Sequence, residues 1–321
     1  MELKTLPGTQ LIVSELCLGT GSMGSTLPQD EAFRLLDLFV ELGGNFLDTA
    51  LVYANWLPIE RSISEKTLGI WMRARKNRGK IVVATKGAHP ELSTMDIPRM
   101  SPEEITGDVE ASLSHLQVET IDLYYLHRDD PRRPVEEIME TLQTQVVAGK
   151  IRYAACSNWR ADRLSAAQAY ARDRGYDGFV ADSMLWNAAV VNPEPVAEQT
   201  MVAMNADLHR FHTETGMAAV PYSSQAGGLF QKMASGALDR ARAAESRIYP
   251  LDLNERRFAR IQNLAAEMDL SITQVVLGYL LSQPFVTVPV IGSRTPAQLR
   301  DSVSAAGVRL PHGTAGADVL G

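Results

Sequence analysis

Cysteine is scarce in this sequence of 321 residues, which contains only Cys17 and Cys156. Both lie in apolar stretches far apart in the chain, so the expected role is that of small core residues. No disulfide framework is indicated, and a reducing cytoplasm is the expected compartment. Residues 1–14 lack the apolar core of a signal peptide, and no run reaches the roughly 18 apolar residues that a membrane span needs.

Positive charge is also limited, because 31 Lys and Arg residues face 38 Asp and Glu residues and the net charge is −7. The short basic runs "RARKNRGK" and "RDDPRR" are interrupted by turn residues or acids, whereas a nucleic-acid surface needs a clustered basic face. We therefore expect a small-molecule partner rather than nucleic acid or membrane. The sequence leaves the oligomeric state open, as monomer or homo-oligomer.

A linker is also missing. No stretch is rich enough in Pro, Gly or Ser to act as a linker, so one domain is predicted over residues 1–321, with 309–321 as a flexible tail. The segment "GTGSMG" at residues 19–24 matches the pattern G-x-G-x-x-G, but a lone match is weak, and a Rossmann domain is not expected.

The sequence does contain a regular alternation of strand-like and helix-like segments, preceded by a hairpin. The segments "ELKTL" and "QLIVSEL" flank the turn "PGT" and predict an N-terminal β-hairpin. Strand-like and helix-like segments then alternate eight times, which implies a parallel sheet with helical crossovers. Eight such units in about 300 residues favour an α/β fold of the (β/α)₈ TIM-barrel type. The segment "VAEQTMVAMNADLHRFHTETG" is predicted as a helix, and "LFQKMASGALDRARAAESRIYPLDL" as a long loop after the seventh strand.

Three consecutive predicted strands end on ionisable residues, at Asp48, Lys86 and His127, and Tyr53 lies in the loop after the second strand. Each residue alone has an ordinary explanation: Asp48 as a helix cap, Lys86 as a surface lysine, His127 as a core histidine, Tyr53 as packing. In a barrel, however, the carboxyl ends of the strands form the active site. An acid, a cation, an imidazole and a phenol at one mouth therefore indicate catalysis.

These four groups suit the reduction of a carbonyl group. Lys86 is expected to lower the pKa of Tyr53, since a nearby ammonium favours phenolate, and Asp48 to hold Lys86 charged. His127 would donate a hydrogen bond to the carbonyl oxygen, and Tyr53 would act as the general acid. A hydride from a nicotinamide cofactor would complete the reaction, and no metal is needed.

The sequence resembles the aldo-keto reductases, which are NAD(P)H-dependent (β/α)₈-barrel enzymes. The resemblance runs from the hairpin to about Ala306 and rests on "LCLGTGSMG", "NFLDTALVY", "SEKTLG", "VVATKG", "DLYYLH", "AGKIRYAACSNW", "YSSQAGGL" and "VIGSRTPAQL". It implies an intact catalytic tetrad of Asp48, Tyr53, Lys86 and His127, with Tyr53 as the proton donor.

The resemblance also implies a cofactor site across the barrel mouth. Ser157 and Asn158 would bind the nicotinamide carboxamide, Tyr222 would stack on the nicotinamide ring, and Arg294 suits a 2′-phosphate because arginine binds phosphate well. NADPH is therefore expected, and NADH stays possible. The full set is Gly19, Thr20, Asp48, Ser157, Asn158, Ser183, Tyr222, Ser223, Gln225, Gly228, Gly292, Ser293, Arg294, Gln298 and Ser302.

Two positions depart from the family pattern. Ser183 stands where the family often has a Gln that contacts the carboxamide, and Ser302 where it usually has an Asn that touches the adenine.

Substrate choice is predicted from the loops at the mouth. Aromatic faces beside polar groups suit a sugar, a ketosugar or another small polar aldehyde, although a broad-specificity aldehyde reductase explains them nearly as well. A cofactor-binding regulatory subunit with little turnover is the alternative from another class, and a metal-dependent hydrolase lacks a ligand set. The expected substrate-contacting residues are Met23, Trp56, His89, Arg128, Asp129, Trp186 and Asn187.

Overall fold

The computed structural model of the protein describes residues 1–192, 200–240 and 248–311. The predicted N-terminal hairpin is present, with β1 (Leu3–Thr5) antiparallel to β2 (Ile12–Ser14). Most of the predicted flexible tail, from residue 312 onward, lies outside the described residues.

Eight further strands form one parallel sheet in the order β10-β3-β4-β5-β6-β7-β8-β9. They are β3 (Cys17–Gly19), β4 (Phe46–Asp48), β5 (Val82–Gly87), β6 (Ile121–Leu126), β7 (Ile151–Ser157), β8 (Phe179–Ser183), β9 (Ala218–Ala219) and β10 (Val290–Ile291). The backbone N–H groups of Val288 and Val290 donate to the carbonyls of Ala219 and Pro221, each at 2.9 Å. These bonds join the two ends of the sheet, and the predicted (β/α)₈ barrel is confirmed.

Helices surround the sheet. They are α1 (Gln29–Glu41), α2 (Ile63–Arg75), α3 (Pro102–Leu116), α4 (Val135–Val147), α5 (Ala161–Arg174), α6 (Ala206–Thr215), α7 (Leu229–Ser235), α8 (Leu251–Glu267), α9 (Ile272–Leu281) and α10 (Pro296–Val303). Capping boxes begin two of them, with Ser101 and Glu104 at α3 and Ser271 and Gln274 at α9. No single helix in the described ranges is long and apolar enough to cross a membrane; only α8 and α9 taken together, across a bend of 98°, pass that test of length and composition.

One predicted helix is shorter than expected. Residues 200–205 are not helical, because their backbone pairs with the end of β8 instead: the Leu185 N–H donates to Val202 O at 3.0 Å, and the Met204 N–H donates to Leu185 O at 2.9 Å. Asn205 then starts α6 as its N-cap, accepting a hydrogen bond from the Leu208 N–H. The helix prediction was wrong for residues 200–205, and 193–199 lie outside the described residues.

The predicted long segment after the seventh barrel strand is present, and it contains α7, which the sequence prediction did not include. Within this segment, residues 241–247 lie outside the described residues.

Alternate residues of each strand face opposite sides of the sheet. In β6, Leu123 and Tyr125 pack with the hairpin residues Leu6 and Leu11 inside the barrel, whereas Tyr124 packs with the helices. The hairpin therefore closes one end of the barrel, and the strand residues that share the parity of Leu123 point to its axis. This alternation determines which side chains reach the open end.

Candidate active site

Strand register brings the predicted catalytic residues to one mouth. Asp48 has the parity of Phe46, and Lys86 that of Ala84, both of which line the barrel interior. His127 follows β6 with the parity of Tyr125, and its N–H donates to Gly87 O at 2.8 Å. All three side chains therefore extend from strand ends toward the barrel axis, as their positions in the sequence predicted.

Lys86 is the centre of the group. Its Nζ lies 2.6 Å from both carboxylate oxygens of Asp48, 2.9 Å from Thr49 O and 3.0 Å from Tyr53 Oη. An ammonium has three N–H donors, so one is shared by the carboxylate and the others go to Thr49 and Tyr53. Because Tyr53 Oη accepts from Lys86, its own O–H is left to donate to another group.

Burial and charge set the protonation states of this pair. Burial opposes the charged form of Lys86, but the attraction of Asp48 and Tyr53 outweighs it, and the pKa of Lys86 lies above its ordinary value. Burial also raises the pKa of Tyr53, and the nearby Lys86 offsets this only in part. The expected effect of Lys86, which lowers the pKa of Tyr53, is confirmed as one contribution, but burial is the larger effect and the net pKa is raised. Tyr53 therefore keeps its proton at neutral pH.

His127 is a neutral imidazole in this environment. Burial lowers its pKa well below the ordinary value, and the charges of Arg128 and Lys86 act in the same direction. Its Nδ1 has no hydrogen-bond partner among the described residues, and its ring packs edge-on against those of Tyr53 and His89, with centroids 5.9 and 4.8 Å away. A neutral ring can donate one hydrogen bond to a carbonyl oxygen beside Tyr53.

A buried chain of hydrogen-bonded hydroxyl groups lies next to the Lys86–Asp48 pair. Ser64 Oγ lies 2.8 Å from Thr49 Oγ1 and 2.9 Å from Thr20 Oγ1, and it donates to Thr20 O at 2.9 Å. Thr20 Oγ1 in turn donates to Asp48 O at 2.9 Å. Thr20, which was predicted as a cofactor residue, thus lies fully buried and ties the end of β3 to that of β4. Sequence reasoning missed Ser64, although it belongs to the quoted motif "SEKTLG".

The residues predicted to bind the carboxamide also meet. Asn158 Nδ2 donates to His127 O at 3.2 Å and to Ser157 Oγ at 3.0 Å, and Asn158 Oδ1 accepts from Val202 N at 3.0 Å and from Tyr222 Oη at 2.8 Å. Ser157 Oγ donates to Ser183 O at 2.8 Å. Every polar atom of the Asn158 side chain therefore has a partner, and a bound amide group would have to exchange with some of them.

Three of the predicted cofactor residues join two loops. Gln225 Nε2 lies 3.3 Å from Ser302 Oγ, which lies 3.5 Å from Ser293 Oγ. This contact links the loop after β9 to helix α10. In that loop Ser223 and Gly228 have φ values of 52° and 80°, a conformation that glycine adopts without cost.

Arg294 and Gly292 are exposed just before α10. The Arg294 N–H donates to Gln298 Oε1 at 2.9 Å, and Thr295 is the N-cap. At Gly19, a β-carbon would lie 3.0 Å from Val290 Cγ1, so β3 and β10 pack closely there.

Four predicted substrate residues pack in the core or form hydrogen bonds with other parts of the protein. Met23 and Trp186 are 1% and 6% exposed and pack in the core. Asp129 forms two hydrogen bonds of 2.9 Å with Arg163. Asn187 Nδ2 donates to Ser223 O and Tyr249 Oη, and its Oδ1 accepts from Ala189 N. The hydrogen bonds of Asp129 and Asn187 leave the polar groups of these two side chains little capacity to bind a ligand.

The other three lie nearer the mouth. Trp56 is 59% exposed. His89 packs on His127, with its Nδ1 2.7 Å from Pro90 O. Arg128 is buried beside His127 and donates from Nε to Thr200 Oγ1 at 3.0 Å.

The structure adds a cleft of about 330 Å³ that the sequence did not reveal. It lies between the loop after β4 (residues 49–62) and the loop after β5 (residues 88–101), against helix α3. Trp56 and His89, which the sequence predicted as substrate residues, belong to these two loops. That the two loops lie next to each other depends on the fold. The lining residues are Leu51, Val52, Asn55, Arg61, Ser62, Gly87, His89, Pro90, Glu91, Leu92, Arg99, Asp108 and His115. In the part of the chain that the structure describes, no group of three or more His, Cys, Asp or Glu could hold a metal ion.

Comparison with known proteins agrees with this geometry. The sequence profile of the Aldo/keto reductase family matches residues 15–314. The chain is 33% identical over 315 residues to the uncharacterized oxidoreductase YrpG of Bacillus subtilis, covering 97% of this chain and 92% of that protein. It is 32% identical to norsolorinic acid reductase B of Aspergillus parasiticus (305 residues; 90% and 75% covered). It is 30% identical to an aryl-alcohol dehydrogenase (NADP+) of Phanerodontia chrysosporium (330 residues; 95% and 81% covered).

Proposed function

The chain belongs to the aldo/keto reductase family and is an oxidoreductase, and from that premise we propose that it reduces an aldehyde or ketone to the alcohol with Tyr53 as proton donor. The observation that carries this proposal is the 3.0 Å contact in which Lys86 Nζ donates to Tyr53 Oη. It fixes the phenol oxygen and leaves its O–H available as a donor. The test is oxidation of NADPH by the purified protein with a panel of aldehydes and ketones.

The proposed roles follow from the protonation states. His127 donates a hydrogen bond to the carbonyl oxygen and holds it beside the Tyr53 O–H. When bound, a nicotinamide cofactor supplies the hydride that reduces the carbonyl carbon. Tyr53 gives its proton to the oxygen as negative charge develops there, and Lys86 stabilises the phenolate that remains. Solvent then returns a proton to Tyr53.

The residues at the mouth fit such a cofactor. The aldo/keto reductase family uses nicotinamide cofactors. The contact between Gln225 and Ser302 joins two loops that offer hydroxyl, amide and backbone groups. Ser223 and Arg294 are exposed on these loops, and a helix N-terminus favours an anion. We propose that Arg294 binds a 2′-phosphate, which makes NADPH the preferred cofactor over NADH.

Replacing Arg294 tests cofactor preference. We expect Arg294→Ala to raise the KM for NADPH about tenfold, since a charge-assisted hydrogen bond to phosphate is lost, and to leave the KM for NADH within about twofold. Arg300→Ala is the matched control, because Arg300 is an exposed arginine in the last turn of the same helix. Initial rates with both cofactors give the answer; an equal effect of Arg294→Ala on both would contradict the assignment.

Ser64 is proposed as a positioning residue for the Lys86–Asp48 pair. We expect Ser64→Ala to lower kcat about tenfold, because the partners of its hydroxyl lose a buried hydrogen bond, while the Kd for NADPH and the substrate KM stay within about twofold. Ser112→Ala is the control, since Ser112 is equally buried and its Oγ has no hydrogen-bond partner among the described residues. If both variants behave alike, the hydroxyl chain has no role in turnover.

The class of the carbonyl substrate is also a proposal. The predicted sugar or small polar carbonyl depended partly on Asp129, Trp186 and Asn187, whose contacts with Arg163, the core and Tyr249 do not favour that reading. The names of two relatives refer to an aryl alcohol and to norsolorinic acid, which supports including aromatic carbonyls in the panel. The intact tetrad supports an active enzyme over a regulatory subunit, and the measured turnover decides between them.

A further inference from the structure

We infer that Asp182 and His212 form a buried pair that shares one proton and positions the residues proposed to hold the nicotinamide carboxamide. The inference rests on the proposed function and adds a pair of positioning residues that lie outside the catalytic group. Both side chains are fully buried, so they act on the cofactor only through the residues around them.

The pair lies between the barrel sheet and helix α6. Asp182 belongs to β8 and is in register with Cys156 of β7, whose side chain packs with the helices outside the barrel. His212 belongs to α6, and its ring stacks on that of Phe285 with centroids 5.1 Å apart. His212 Nε2 lies 3.5 Å from Asp182 Oδ2. Two ionisable side chains therefore face each other inside the protein.

The other contacts of the two side chains determine how many protons the pair holds. His212 Nδ1 lies 2.9 Å from Met217 O, and a carbonyl oxygen can only accept, so Nδ1 carries a hydrogen. Asp182 Oδ1 accepts from the Cys156 thiol at 3.6 Å. Nε2 and Oδ2 have no hydrogen-bond partner elsewhere among the described residues. Without a further proton, a nitrogen lone pair would face a buried carboxylate, which is costly, so the pair holds one shared proton.

The surroundings of the pair favour a retained proton. Burial raises the pKa of Asp182, and His212 offsets this only in part. Three neighbouring groups interact with the Asp182 carboxylate, and burial raises the pKa of each of them, so they stay uncharged at neutral pH. These groups are Cys156, Tyr125 and Tyr222. On α6 itself, the Nε2 of His209 lies 3.1 Å from Gln283 Oε1 and is directed away from the pair.

On the β8 side, the pair adjoins the proposed carboxamide site directly. Asp182 precedes Ser183, whose carbonyl oxygen accepts from Ser157 Oγ at 2.8 Å and from the Asn158 N–H at 3.0 Å. The backbone that bears the Asp182 carboxylate therefore also fixes the two residues that are predicted to bind the carboxamide.

On the α6 side, the pair reaches the same asparagine by two routes. Helix α6 follows the segment 200–205, in which the Val202 N–H donates to Asn158 Oδ1 at 3.0 Å. The carbonyl that accepts from His212 immediately precedes β9, and Tyr222, which follows β9, donates to the same Oδ1 at 2.8 Å. Loss of the contact between Asp182 and His212 would therefore loosen α6 and disturb Asn158.

The test uses two ligands and two substitutions at one position. NADPH spans the whole proposed cofactor site, whereas adenosine 2′,5′-bisphosphate represents only the end assigned to Arg294, which follows a different strand, β10. We expect Asp182→Leu, which has a similar size and no proton to share, to raise the Kd for NADPH about tenfold and to leave the Kd for the bisphosphate within about twofold. Fluorescence and calorimetric titrations measure the two constants.

Asp182→Asn is the rescuing substitution. Its amide N–H can donate to a neutral His212 Nε2, and its carbonyl oxygen can accept from the Cys156 thiol, so both contacts persist without a shared proton. We expect its Kd for NADPH to stay within about threefold of the wild-type value at neutral pH.

The pH dependence tests the shared proton itself. Because burial raises the pKa of Asp182, the contact is present at lower pH and is lost as the pH rises through that pKa. The Kd of the wild-type protein for NADPH should therefore rise toward alkaline pH by a larger factor than the Kd of Asp182→Asn, which has no such proton to lose.

Each outcome bears on a separate claim. Equal weakening of both ligands by Asp182→Leu, or an Asp182→Asn variant that binds NADPH no better than Asp182→Leu, means that the pair does not position the carboxamide site. Parallel pH profiles of the wild-type protein and Asp182→Asn overturn the shared proton, and this comparison decides alone where Asp182→Leu does not fold. Failure of the wild-type protein to bind NADPH overturns the proposed function instead.

Discussion

Tyr53→Phe is expected to lower kcat for carbonyl reduction about 1,000-fold and to leave the Kd for NADPH within about twofold. The change removes the O–H that is proposed to donate the proton and keeps the ring that packs against His127. General acid catalysis contributes about 100- to 10,000-fold, and the raised pKa of Tyr53 keeps it in the acid form over the neutral range. Initial rates with a responsive aldehyde, together with a fluorescence titration of NADPH, measure both quantities.

Tyr125→Phe is the matched control for this experiment. Tyr125 is a fully buried tyrosine at the barrel axis, and its ring centroid lies 5.7 Å from Lys86 Nζ. Its hydroxyl has no hydrogen-bond partner among the described residues, so its removal should change kcat by less than about threefold, since no bond is lost. Near-normal kcat in Tyr53→Phe, or an equal loss in both variants, would show that another group supplies the proton.

The placement of the proposed catalytic residues was predictable because it depends on two simple regularities. Strand residues alternate in direction, and parallel strands end at one face, so the positions of Asp48, Lys86 and His127 in their strands brought them to one mouth. The fold class followed from the same alternation of strands and helices. That the chain forms one domain stays a prediction.

Other properties depend on three-dimensional surroundings that no sequence pattern expresses. Lys86 lowers the pKa of Tyr53 as predicted, but the burial that outweighs this effect and raises the net pKa depends on the packing around the phenol. The strap at residues 200–205 has a helical sequence pattern, but its N–H and C=O groups pair with Leu185. The partner of Asp129 is Arg163, 34 positions along the chain, and a distant ion pair of this kind cannot be read from spacing.

Lys86→Met is expected to lower the free energy of unfolding by about 3–5 kcal/mol, besides abolishing most turnover, because it leaves a buried carboxylate without its counter-ion. Asp48 is 3% exposed, and both of its oxygens lie 2.6 Å from Lys86 Nζ. Urea unfolding followed by circular dichroism measures the loss. Lys150→Met is the control: Lys150 pairs with Glu110 at 2.8 Å on the surface, and exposed pairs contribute about 1 kcal/mol or less.

The lower stability of Lys86→Met has two possible sources, the unpaired charge of Asp48 and the lost packing of the Lys86 side chain. A second substitution and the pH dependence separate them. Adding Asp48→Asn to Lys86→Met removes the unpaired charge, so the double variant should be more stable than the single one. Burial already raises the pKa of Asp48, and without Lys86 nothing of comparable strength lowers it. The folded state of the single variant therefore binds a proton more readily than the unfolded state, and its deficit should shrink as the pH falls. A deficit that is independent of pH and persists in the double variant would mean that Lys86 stabilises the barrel through packing alone.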